Sequence, residues 1–203
     1  MKHRFVIFML LAGCLFLDAS LAEDKQTTLK IGDRAPELDF RLMDGSAGPR
    51  LADFKGEVVI LDFWATWCPP CIKSIPHLNQ LQKEFEGRPV HFFSITYETA
   101  GMVEPFLKKH GPEVPIGLDN DFAMFKSYGG WGLPTLYLID RNGIIASVTG
   151  PHKVTAQVIE LLLEGKVPEV EQYKGWQDPA GAEEYFRSLL AKGKASETSP
   201  QPR

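Results

Sequence analysis

The sequence predicts an α/β fold, a central mixed β-sheet flanked by helices. Residues 58–64 form a nearly continuous apolar run of strand formers, as a central strand covered on both faces would. A periodic segment over 72–85 follows, and 90–96 reads as a second strand. The helix between them supplies the crossover of a right-handed βαβ unit. Residues 135–140 and 144–148 flank Arg141-Asn142-Gly143, a hairpin signal because Asn-Gly tolerates positive φ. The hairpin makes the sheet mixed.

The remaining elements follow in chain order. Lys2, His3 and Arg4 precede an apolar run over 5–17 and a small-x-small site, Ser20-Leu21-Ala22. This predicts a signal peptide at 1–22 and export to a periplasm or comparable extracytoplasmic space. The run falls short of the about 20 residues that span a bilayer, although an uncleaved N-terminal anchor is an alternative. A second alternative is lipidation, since Leu11-Ala12-Gly13-Cys14 resembles the lipobox of bacterial lipoproteins. Cleavage after Ala22 is preferred because the apolar stretch continues through Leu15, Phe16 and Leu17. Either outcome takes Cys14 out of the redox count and leaves the two cysteines at 68 and 71.

The domain itself is placed at 23–166. After a polar lead and an irregular Ile31-Gly32-Asp33-Arg34-Ala35-Pro36, the residues Leu38, Phe40 and Leu42 alternate like a strand, with turn residues at 43–46. Helices are expected over 102–110, 123–128 and 154–164. The extension at 167–203 carries Pro168, Gly175 and Pro179, a possible helix at 183–190 and a polar tail read as disordered. A net charge of −4 argues against nucleic acid and against a polybasic membrane patch.

The chemistry concentrates in Trp67-Cys68-Pro69-Pro70-Cys71. A C-x-x-C between a strand and a helix sets the first sulfur beside the unpaired N–H groups of the helix start. Cys68 is therefore expected to be an exposed, low-pKa nucleophile and Cys71 a buried resolving thiol. Lowering a thiol pKa from about 8.5 to about 7 takes the thiolate from roughly 3% to roughly half, at a cost of about 2 kcal/mol. A helix terminus with direct N–H···S bonds reaches that size.

Other uses of the pair fit less well. A zinc site needs a second ligand pair, and His77, His91, His110 and His152 form no H-x₃₋₅-H pair. A disulfide closing so small a ring constrains little of the unfolded chain. The Cys68/Cys71 couple is thus read as a redox-active disulfide, with no metal and no cofactor.

Phe63-Trp64-Ala65-Thr66-Trp67-Cys68-Pro69-Pro70-Cys71 resembles the thioredoxin superfamily, in particular its exported TlpA/ResA-like thiol-disulfide oxidoreductases. The lead at 31–36, Phe54-Lys55-Gly56, Gly132-Leu133-Pro134-Thr135 and Leu138-Ile139-Asp140-Arg141-Asn142-Gly143 share the likeness, which covers about 30–165. It implies a thioredoxin-like fold and a protein disulfide reductase. It also implies a cis Leu133–Pro134 bond facing the cysteines, with the Leu133 backbone pairing to a substrate strand. Trp67, Leu133 and Pro134 are then the substrate-binding residues, Trp64 packs in the core, and Pro76 bends the motif helix.

Asp62 lies inside the apolar strand, where a carboxylate is costly unless paired or protonated. Thioredoxins have an aspartate at this step, so Asp62 is expected behind Cys71 with a raised pKa as its general base. The alternative is a carboxylate at a wet strand edge. Of the neighbouring strand, only His91 offers itself for tuning.

Ser74 departs from the glutamate common in ResA-like proteins that serve cytochrome c maturation, which weakens the case for a haem-protein substrate. Tyr97-Glu98 is preferred as a solvated loop, with a place on the same surface as the alternative, and Gly129-Gly130-Trp131-Gly132 is read as the loop shaping the approach to Pro134.

The expected partners are protein disulfide or thiol substrates and a membrane electron donor. Oxidation of substrate thiols uses the same atoms and stays open as an alternative. A peroxidase is disfavoured because the residues before Cys68 do not match the P-x-x-x-[TS]-x-x-C context of peroxiredoxins. A copper- or haem-handling chaperone is the rival from another class. Thioredoxin-like copper chaperones use C-x-x-x-C, one residue longer than the spacing here.

Overall fold

The computed structural model describes residues 29–129 and 132–172, together with 184, 185, 187, 188 and 191. The expectations for 1–22 and Cys14, for Gly130 and Trp131, and for most of 173–203 lie outside the described residues.

Six strands form one mixed sheet: β1 (Arg41–Leu42), β2 (Val58–Phe63), β3 (Val90–Thr96), β4 (Ile116–Leu118), β5 (Thr135–Ile139) and β6 (Ile145–Thr149). Their order across the sheet is β1-β4-β3-β2-β5-β6. β2, β3 and β4 run parallel, while β1 on β4, β5 on β2 and β6 on β5 are antiparallel. The helices are α1 (Pro69–Glu84), α2 (Ala100–His110), α3 (Ala123–Tyr128) and α4 (Ala156–Leu163).

Every residue of β2 is buried, because the sheet is covered on both faces. Val58 and Ile60 pack with Leu78 and Leu81 of α1 and with Ile159 and Leu162 of α4. Val59, Leu61 and Phe63 point the other way, towards Phe40, Phe93 and Val103 of α2 and Phe125 of α3. The period of two puts Asp62 on the α1 side.

Several elements differ from their sequence expectations. β1 is shorter than the alternation of Leu38, Phe40 and Leu42 suggests. Leu38 and Phe40 are buried, but the ladder to β4 begins only at Arg41. β4 is too short to signal itself, and it contains Gly117. A Cβ there would lie 2.4 Å from Ile95 Cδ1 and 2.6 Å from the Phe40 ring, so glycine lets the strand close against its neighbours.

At the β5–β6 hairpin only Gly143 has positive φ, +74°, and the ladder bulges between Leu138 and Ile139. This is a longer turn with a glycine bulge in place of a two-residue Asn-Gly turn. Asp140 Oδ1 accepts the N–H groups of Asn142 and Ile144 and fixes it. The last helix begins at Ala156 because Thr155 caps it, its hydroxyl accepting Val158 N–H at 3.3 Å. A 3₁₀ turn, Pro151–Lys153, precedes it.

Candidate active site

β2 ends at Phe63 and α1 begins at Pro69, so the redox motif occupies the strand-to-helix turn. Cys68 is the N-cap residue in extended conformation, φ −93° and ψ 100°. Pro69 and Pro70 hold the first two helical positions and have no N–H. The first amide the helix presents is therefore that of Cys71, and it donates to Cys68 Sγ at 3.3 Å. The sequence expectation of several N–H donors narrows to this one bond plus the helix dipole.

Cys68 and Cys71 are joined as a disulfide, with Cα atoms 5.3 Å apart. Cys71 is 1% exposed, beneath the helix start. Cys68, expected to be the exposed sulfur, is only 3% exposed in this bonded form. Its sulfur turns inward to reach its partner, and both cysteines pack with the core cluster that includes Trp64 and Phe63. The surface beside them is provided by Trp67, which is 42% exposed.

Asp62 is 4% exposed, and among the described residues its Oδ1 has no hydrogen-bond partner. A small cavity of about 10 Å³ is lined by Asp62, Cys71, Ile75, Asn79 and Ser94, among others, so the carboxyl and the resolving sulfur border the same space. Burial holds the Asp62 carboxyl well above the ordinary carboxylate range. Ser94, its directly paired neighbour on β3, lines the cavity. His91 is not near it. That imidazole pairs with Val59 in the register, contacts the Glu57 carboxylate and packs on Phe54, on the opposite face.

Leu133 and Pro134 lead into β5. The peptide bond between them is cis, and Leu133 packs against the cluster that holds both cysteines. A groove of about 440 Å³ opens beside the motif. Its lining includes Pro70, Ser74 and Pro134, with Lys73 and His77 of α1 along one side. His152, Lys153, Glu171 and Gln172 complete it. Ser74 is buried, and its hydroxyl donates to Cys71 O at 2.7 Å, capping the first turn from within. His77 Nε2 bonds Val154 O at 2.7 Å and ties α1 to the turn before α4.

At two residues the structure overturns the preferred reading and bears on the alternative. Tyr97 and Glu98 are not a solvated loop but are both fully buried. The Trp67 indole N–H donates to the Tyr97 hydroxyl at 2.6 Å, and the Glu98 carboxylate binds Thr66. These contacts span 30 and 32 residues, so no local pattern announces them. The only signal was a pair of polar residues directly after an apolar strand.

The fold and the cysteine pair define a thioredoxin-like protein. Residues 31–148, more than half of the chain, match the AhpC/TSA family, and the chain belongs to it. The particular relatives are thiol-disulfide oxidoreductases. The protein named thiol-disulfide oxidoreductase ResA from Bacillus cereus is 33% identical over 161 residues, covering 78% of this chain and 92% of the relative. The ResA of Geobacillus thermodenitrificans is 32% identical, covering 71% and 84%. Among solved structures, a thiol:disulfide interchange protein of the thioredoxin family from Chlorobium tepidum superposes with a TM-score of 0.56 at 26% identity. That match covers 68% of this chain and 99% of the other.

Proposed function

We propose that this chain is an exported thiol-disulfide oxidoreductase that reduces protein disulfides through Cys68 and Cys71. The observation that carries the reading is the site itself: a sulfur capping α1, its partner one turn below, and a buried carboxyl behind that partner.

In the reduced enzyme the Cys68 thiolate is stabilised by the Cys71 N–H and the dipole of α1. It attacks a substrate disulfide, forming a mixed disulfide and releasing one substrate thiol. Asp62 takes the proton of Cys71 across the shared cavity. The Cys71 thiolate then attacks Cys68 Sγ and expels the second substrate thiol, which leaves the Cys68–Cys71 disulfide. Two electrons pass to substrate, and a membrane electron carrier restores the dithiol.

The substrate chain lies over Trp67 and against the Leu133 backbone, which adds it as a strand, while Pro134 packs on it. The groove beyond Pro70 takes the residues flanking the substrate cysteine. Export rests on the basic, apolar and small-x-small segments of 1–22, and lipidation at Cys14 is the alternative attachment. Among the described residues, no helix is long and apolar enough to cross a membrane.

Insulin-disulfide reduction tests the reading. Cys68→Ser is expected to be inactive, and Cys71→Ser to accumulate mixed disulfides detectable on non-reducing gels. Equal turnover by wild type and both variants would overturn the assignment.

A further inference from the structure

Of the buried acids that the exchange steps leave unused, Glu98 is the one that touches the motif loop. Glu98 is 0% exposed, yet among the described residues it has no ion-pair partner. Burying a carboxylate without a cation is unfavourable unless hydrogen bonds replace its water. Here they do. Oε2 accepts the Thr66 backbone N–H at 2.7 Å and the Thr96 hydroxyl at 3.1 Å, and Oε1 accepts the Thr66 hydroxyl at 2.6 Å. Every oxygen faces a donor, the pattern of an acceptor-only carboxylate.

The target of this fork is specific. Thr66 stands two residues before Cys68, and the next residue, Trp67, is bonded to Tyr97. Consecutive residues at the end of β3 thus grip consecutive residues of the loop that delivers the nucleophile. The grip is braced from behind. Asn120 Nδ2 donates to Glu98 O at 2.9 Å, and Phe122 stacks on Tyr97 with ring centroids 5.1 Å apart. Phe122 does so with φ +64°, a left-handed conformation that is strained for a bulky side chain. Strain kept next to a reactive loop marks a geometry that the surroundings enforce.

We propose that Glu98 is a positioning residue for the exchange reaction: it fixes the loop before Cys68 and, as a fixed negative charge behind it, limits how readily Cys68 ionises. The inference rests on Cys68 being the nucleophile. A like charge disfavours the thiolate, and the donors on Thr66 partly offset that field. Removing the charge and removing a donor therefore act in opposite directions, whereas simple loosening of the loop would move both variants the same way.

The titratable groups around the motif from packed elements are Asp62 of β2, Tyr97 and Glu98 after β3 against the loop before Cys68, Tyr185 against Trp67, and Lys73, His77, His152, Lys153 and Glu171 around the groove. The variants below alter none of these but Glu98.

The experiment is the pH dependence of Cys68 alkylation by iodoacetamide in reduced protein, paired with the equilibrium constant against glutathione. Glu98→Gln keeps the shape and is expected to lower the alkylation midpoint by about half a unit to one unit. The glutathione equilibrium should then shift about three- to tenfold towards the dithiol. Thr66→Val is expected to raise the midpoint and shift the equilibrium the other way, and it carries the test alone should Glu98→Gln not fold. Unchanged midpoints, or both moving in one direction, would overturn the proposal. If wild-type Cys68 is itself unreactive and insulin is not reduced, the oxidoreductase reading falls first, and the two failures are told apart.

Discussion

Asp62 shows how far a single residue carries. One charge in an apolar run was visible in the sequence, and a period of two was enough to place it on the α1 face. For Asp62→Asn we expect slower release of product from the mixed disulfide with attack by Cys68 largely intact. Rapid-quench measurement of mixed-disulfide decay checks this, and unchanged decay across pH would remove the proton-transfer role. The two cysteines were equally legible, since a C-x-x-C is a local pattern. The exposure of Cys68 was not, because which way a capping sulfur turns depends on the bond it makes. The contacts of Tyr97 and Glu98 were not legible for another reason. Their roles exist only when β3 ends beside the motif loop, a tertiary fact.

The elements legible in the sequence are those whose pattern is long. β2, α1, β3 and the β5–β6 hairpin follow from apolar runs and turn residues. β1 follows only in part, since the alternation at Leu38, Phe40 and Leu42 overstates its two-residue ladder, and β4 does not follow, because three residues cannot display a period. β4 instead announces its packing through what it lacks. Gly117→Ala would push a methyl to 2.4 Å from Ile95 Cδ1. We expect a loss of about 1–3 kcal/mol, the range of overpacked cores, read as a lower urea midpoint with unchanged slope. The start of α1 is legible in kind but not in detail. Two prolines mark the first turn, yet their consequence, a single amide left for the sulfur, shows only once the cap position is known.

At the scale of the whole molecule, two of the buried acids make stability depend on pH. Burial pushes Asp119 up from an ordinary 3.8 to about 7, despite the N–H of Phe125 on its Oδ2, with Asp121 adding to the rise. Asp62 shifts in the same direction. The folded state therefore holds protons that the unfolded chain has released. Stability contributed this way is complete below about pH 4 and is lost as the pH rises through about 7. From Asp119 alone the loss is on the order of 2–4 kcal/mol. Urea unfolding between pH 4 and 8 should show the decline, and Asp119→Asn should flatten it; an identical slope in the variant would assign the dependence elsewhere.

The chain also returns on itself after α4. Gln172 donates to Ser147 Oγ and accepts from Val148 N–H, the Thr149 hydroxyl donates to Glu171 O, and Lys153 pairs with Glu171. The free margin of β6 is thereby sheltered from pairing with another molecule. The same two residues also form one bank of the groove beside Pro70 and Pro134. A stretch that follows the last helix thus lines the groove beside the motif. One short return therefore both guards a sheet margin and shapes a wall of that groove.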